Sequence, residues 1–236
     1  MIKFIRLFFF VLSLNLNCVY AGVGLDSTRI IYKAGDRSVS VGVRNTDAKW
    51  NYLIQPSISK DLDGVDTVTP FVFSPVLFKL QHGSEGIIKI MSFDQGAFPK
   101  DRESLFWLSV KAVPSSERSV SMVDFDRLKG GVKIAVGNTI KLIYRPEKLP
   151  GSPKDGAKGL TFEKTKAGKL KAKNASPYYV NINSLILNDV RTVSTNMMMV
   201  PPYGEIEFDG VTPPEDLKGI KWETINDNGG IEKHKL

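Results

Sequence analysis

Two histidines, one cysteine and a scatter of loop acids carry most of the reactive chemistry in this 236-residue sequence. His82 lies in Leu80-Gln81-His82-Gly83, a turn composition, and His234 lies in a charged terminal tail. Neither stands in the Ser, Asp or paired-carboxylate context that a nucleophilic triad or a metal site requires. Asp61 and Asp63 flank Gly64 in a turn-forming stretch, where solvated acids are the expectation. The chain contains no GxSxG, no phosphate-cradling glycine loop and no HExxH. The residue types therefore point away from catalysis, and no metal or organic cofactor is expected.

Cations are the next candidates. Thirty-two Lys and Arg against 25 Asp and Glu give a net charge of +7, which permits an anionic partner without specifying one. Lys164 to Lys173 is the most basic run. Its central Gly168 and alternating lysines describe a solvated hairpin, and no aromatic residues are interleaved for base stacking. Nucleic acid is not an expected partner. Asn174-Ala175-Ser176 matches a glycosylation sequon, but Pro177 follows it and the pattern is common by chance, so no modification is expected there.

The N-terminus reads as a secretory signal. Lys3 and Arg6 form a positive start, Leu7 to Leu14 is almost wholly apolar, and Val19-Tyr20-Ala21 predicts cleavage before Gly22. The apolar run is too short to span a bilayer, so stable membrane insertion is not expected. Removing residues 1–21 leaves 215 residues with a net charge of +5 and also removes Cys18, the single cysteine. A fold destined for an oxidising compartment then rests on its hydrophobic cores alone.

The elements that must position any site are short strands. Ser38 to Val43 alternates with period two and puts three valines on one face. Trp50 to Gln55, Gly86 to Met91 and Leu105 to Val110 read similarly, with Gly, Asp, Asn and Pro between them. The best helical pattern is a turn or two around Val123 to Leu128. Composition breaks after Tyr144-Arg145-Pro146, where EKLPGSPKDGAKG reads as linker or first loop. Strand patterns resume at Leu160. The expectation is an all-β chain of two sandwich domains, 22–146 and 147–236 with the linker in the second.

Several segments carry a family resemblance. Asp101-Arg102-Glu103-Ser104-Leu105-Phe106-Trp107, then Val110 to Pro114, resembles the periplasmic chaperones of the chaperone–usher pilus pathway, the PapD-like family. Ile140 to Pro146 resembles the close of their first domain, and Ser176 to Val180 with Ile225-Asn226-Asp227 resembles their second. Thr28-Arg29 and Phe71 to Pro75 also fit. The resemblance runs in order over nearly the whole mature chain. It implies two immunoglobulin-like domains set at an angle, as in a boomerang. It also implies a periplasmic protein that lends a strand to incomplete pilus subunits and hands them to an outer-membrane usher.

The same resemblance assigns residues. Val132, Ile134 and Val136 occupy the groove-filling positions of the donor strand, although on alternation alone they equally suit the chain's own core. Arg29 and Lys141 match the cations that hold the subunit's C-terminal carboxylate. Glu103, Arg145 and Asp227 match an interdomain ionic network. The 25 residues between Pro114 and Ile140 are somewhat long for the short-loop branch of the family, while the lack of mature cysteines favours that branch. Competing readings are a secreted immunoglobulin-like adhesin or pilus subunit, which calls for an N-terminal donor extension, and a periplasmic enzyme on a β sandwich.

Overall fold

In a computed structural model, residues 22–115, 135–192 and 198–236 are described. The signal segment, the helical pattern at 123–128, Val132 and Ile134 lie outside them.

The first core is a sandwich of two sheets. One sheet has the order β1-β3-β7-β5, built from β1 (Val23–Leu25), β3 (Val39–Asn45), β7 (Glu85–Ser92) and β5 (Phe71–Ser74). The other has the order β2-β9-β8-β4-β6, from β2 (Arg29–Lys33), β9 (Val136–Arg145), β8 (Ser104–Ser115), β4 (Asn51–Ser59) and β6 (Phe78–Leu80). Each of the four alternating segments read from the sequence coincides with a strand to within one residue, Ser38 and Trp50 lying just before β3 and β4, because one face is buried and the other is not. Val41 on β3 stands beside Ile88 on β7 in the same sheet, and both join Val43, Ile90 and the β8 residues Phe106, Leu108 and Val110 in one buried cluster. Aromatic rings close the lower end. Phe98 stacks on Tyr144 at 3.6 Å, and Phe71 meets Phe106 edge-on at 5.2 Å.

The second core joins sheet β10-β11-β15 to sheet β13-β12-β16-β17. Their ranges are β10 Thr161–Lys164, β11 Leu170–Lys173, β15 Glu205–Phe208, β13 Val190–Thr192, β12 Val180–Leu187, β16 Lys221–Ile225 and β17 Ile231–Lys235, and β14 (Met198–Val200) also pairs with β12. Trp222 is its centre, buried among Leu170, Leu185 and Ile220, with its indole N–H donating to the Ala157 carbonyl at 2.9 Å.

Three local readings are settled here. The basic run is the β10–β11 hairpin, turned by Gly168 at φ 77°, where a side chain would be strained. Its Leu170 and Ala172 point inward, while Lys169, Lys171 and Lys173 pair with Asp209, Glu205 and Glu163 on the outer face. The sequon asparagine, Asn174, is buried and donates to the carbonyls of Tyr178 and Pro201, so it is a structural residue closed to modification. The linker reading of 147–159 needs correction, because it contains a short helix, α1 (Pro153–Lys158). Ser152 caps its N-terminus, Pro153 opens it and Gly159 closes it.

Candidate functional site

Strand β9 links the two cores. Side chains alternate along it, so Leu142 and Tyr144 enter the first core while Lys141, Ile143 and Arg145 line the opposite face, towards the second. On one side β9 pairs antiparallel with β8, placing Trp107 opposite Lys141. On the other it pairs in parallel with β2, and that register sets Arg29 directly beside Lys141. Two residues 112 positions apart in sequence thus become immediate neighbours.

Arg145 is the most heavily bonded cation. Its Nε donates to Glu103 Oε1 at 2.5 Å, and its two terminal nitrogens reach Asp227 at 2.7 and 3.0 Å in a fork. Glu103 takes a further N–H from the Tyr179 backbone at 2.7 Å, and its own N–H donates to the Pro177 carbonyl. The Tyr178 ring lies beneath the guanidinium at 5.4 Å. Burial opposes the charge on Arg145, but Asp227 and Glu103 outweigh it and raise its pKa. Burial pushes the Glu103 carboxyl up, while Arg145 and the Tyr179 amide pull against it. The three network residues are therefore brought together, joining segments of both cores.

Arg29 and Lys141 are treated differently. Arg29 donates to the Ile225 carbonyl at 3.1 Å, and its Nε is buried with no hydrogen-bond partner. Lys141 Nζ donates to Asn181 Oδ1 at 2.9 Å and lies 6.0 Å from the Trp107 ring centroid. Among the described residues neither cation has an ion pair of its own. Burial lowers the Arg29 pKa against the opposing field of Asp227. Burial, then the charge of Arg29, brings Lys141 down to about 8. Two adjacent, partly desolvated cations whose hydrogen bonds go only to neutral oxygens leave positive charge without a paired acid at this point. Arg29 borders a cleft of about 250 Å³ whose lining also includes Ile143, Arg145, Asn181, Ile225 and Asp227, the residue that accepts from Lys141 being Asn181.

The lowered Lys141 pKa has a measurable consequence. The unfolded chain holds its proton up to the ordinary 10.5 and the folded chain only to about 8. Between those values the unfolded state binds more protons, so this group makes stability rise with pH, and its cost is fully present below about 8. Urea midpoints measured from pH 7.5 to 10.5 should climb for wild type relative to Lys141→Met. Parallel curves would mean that Lys141 titrates normally.

Of the three residues expected on the donor strand, Val136 alone is described; it opens β9 opposite Ala112 and is 47% exposed. Strand β2 pairs only with residues 141–145 of β9. Along residues 136–140 β8 covers one edge, and among the described residues no strand pairs with the other. An open ladder thus leads directly to the cation pair.

The histidines take no part in this site. His82 is in the turn expected of it, its amide donating to Asn51. His234 does not lie in a loose tail. It occupies edge strand β17, stacks on Trp222 at 5.5 Å and shares a 2.8 Å hydrogen bond with Thr224. Asp61 accepts the backbone N–H groups of Val65 and Asp66, capping its own turn. No cluster of metal-ligating side chains occurs among the described residues. Asn181, the Ile225 carbonyl and the Tyr179 amide were missed from sequence. Asn181 carried no distinguishing signal, since Asn183 and Ser184 follow it in the same strand.

The described chain is thus a pair of β sandwiches joined by an ionic network, with an open edge on β9 beside two neighbouring cations. Residues 22–150 match the family model described as pili and flagellar-assembly chaperone, PapD N-terminal domain, and residues 155–236 match pili assembly chaperone PapD, C-terminal domain. The chain belongs to this pilus-assembly chaperone family, and its function is that of a chaperone rather than an enzyme. It is 35% identical over 214 residues to chaperone protein FocC of Escherichia coli, covering 90% of this chain and 88% of FocC. Among solved structures it is similar to the periplasmic chaperone SfaE, with a TM-score of 0.71, 33% identity and coverage of 91% and 98% of the two chains. It is also similar to a chain in the Salmonella enterica SafA pilin complex with the SafB chaperone, with a TM-score of 0.74, 28% identity and coverage of 93% and 98%. Both halves match chaperone models, which sets aside the adhesin and subunit reading.

Proposed function

We propose that this chaperone works in the periplasm, where it caps pilus subunits by lending them its β9 strand and passes them to an outer-membrane usher. The carrying observation is that, among the described residues, the edge of β9 at residues 136–140 is open and ends on a cation pair with no anion of its own. A strand running parallel to β9 on that edge ends where β2 begins, at Arg29. Its terminal carboxylate then arrives between Arg29 and Lys141, which fixes the register of pairing. The five open residues span roughly 17 Å at strand rise, enough for a short run of main-chain bonds. Side chains at Val132, Ile134 and Val136 fill the groove of the subunit, each contributing about 1.5–3 kcal/mol if fully buried. The functional units are 22–146, which carries donor strand and anchor, and 147–236, which closes the cleft.

Two experiments test this reading. Mass spectrometry of a periplasmic fraction should give a chain beginning at Gly22; an intact N-terminus or a lipid on Cys18 would count against it. Ile134→Asp should leave the isolated chaperone folded and greatly weaken capture of a co-expressed subunit, because an unpaired charge cannot enter an apolar groove. An unfolded variant would place Ile134 in the core, and normal capture would remove the donor-strand assignment. No helix among the described residues is long and apolar enough to cross a membrane.

A further inference from the structure

Arg145, Lys141 and Arg29 are provided with different partners. Arg145 holds two carboxylates, whereas Lys141 and Arg29 are each held by one neutral oxygen, and both oxygens come from the second core. Asn181 supplies the first from β12 and Ile225 the second from β16. Asn181 is only 6% exposed, and its backbone is fixed opposite Met199 in the β12–β14 pair. It lies two residues beyond Tyr179, whose amide is clamped to Glu103. Its oxygen is therefore held against the first domain by the same contacts that form the ionic network.

From this geometry we propose that Asn181 is the positioning residue of the carboxylate anchor, aiming the Lys141 ammonium from the second domain while leaving its charge uncompensated. The inference rests on the anchor reading above and adds a requirement to it. An ammonium has three donors, and an amide oxygen occupies one of them without neutralising it. A charged acceptor at the same place would orient Lys141 equally well but satisfy its charge, and a client carboxylate would then meet an occupied site and a like charge. The neutrality of residue 181, as much as its position, makes the chaperone select a free C-terminal carboxylate.

The test uses a synthetic peptide of alternating valine and threonine with a free C-terminal carboxylate, and the same peptide amidated, each titrated against the mature protein. Wild type should prefer the carboxylate form by roughly tenfold to a hundredfold, the range of one charge-assisted bond. Asn181→Asp should reduce that preference to about unity. Asn181→Thr, which keeps a neutral oxygen acceptor, should retain most of the preference, and Asn181→Leu should lose much of it. A wild type indifferent to amidation removes the anchor itself, and this inference with it. A wild type that discriminates beside an Asn181→Asp variant that discriminates equally overturns the role of Asn181 alone. Should the Asp variant bind neither peptide, the Leu and Thr variants decide: equal preference in both overturns the inference, and loss in Leu with retention in Thr supports it.

Discussion

Replacing Arg145 by alanine should destabilise the protein by about 3–5 kcal/mol, the cost of removing one partner from a buried ionic group. The Glu103 side chain is 1% exposed, so its carboxylate would keep only the Tyr179 N–H in a poorly solvated site. Asp227, at 37% exposed, can recover water and adds less to the loss. Arg145→Lys should fall between wild type and alanine, since an ammonium keeps the charge but cannot fork onto Asp227 while reaching Glu103. Because the network ties Glu103 on the first domain to Asp227 on the second, the alanine variant should also alter the small-angle scattering profile. Urea unfolding and scattering on the same samples check both effects. Unchanged stability and shape with lost subunit binding would instead make Arg145 a client-binding residue.

The degree to which this was legible in the sequence depends on the range of each interaction. The strands around Val41, Ile54, Ile88 and Leu108 are legible because period-two alternation is local and each strand buries one face. Helix α1 carries its signals openly, in Ser152, Pro153 and Gly159, but six residues are too few to show a helical period among lysines and glycines. Edge strand β17 reads as a tail because its exposed face is charged, although Glu232 and His234 alternate inward. The pairing of Arg29 with Lys141, and of Arg145 with Asp227, follows from a parallel strand register and an inter-domain contact. Neither leaves any local trace, and only resemblance to a family supplied them. Asn181 had neither kind of signal, since its significance lies entirely in which side chain faces it across the cleft.

Alanine at either Arg29 or Lys141 should weaken subunit binding by roughly tenfold to a hundredfold, since a charge-assisted bond contributes about 1.5–3 kcal/mol. The pair should also be non-additive, and the geometry gives the reason. A carboxylate that has lost one donor sits less well against the other, so the double variant should cost less than both single losses combined. Binding is linked to protons as well: a bound carboxylate favours the charged lysine, so complex formation near pH 8 should take up a fraction of a proton and weaken as pH rises further. Calorimetry in buffers of different ionisation enthalpy would measure that uptake, and Lys141→Ala should abolish it. Amidating the client's C-terminus should harm wild type strongly and the double variant hardly at all. Equal sensitivity of the two proteins would show that some other group reads the carboxylate, leaving the open edge of β9 to act without an anchor.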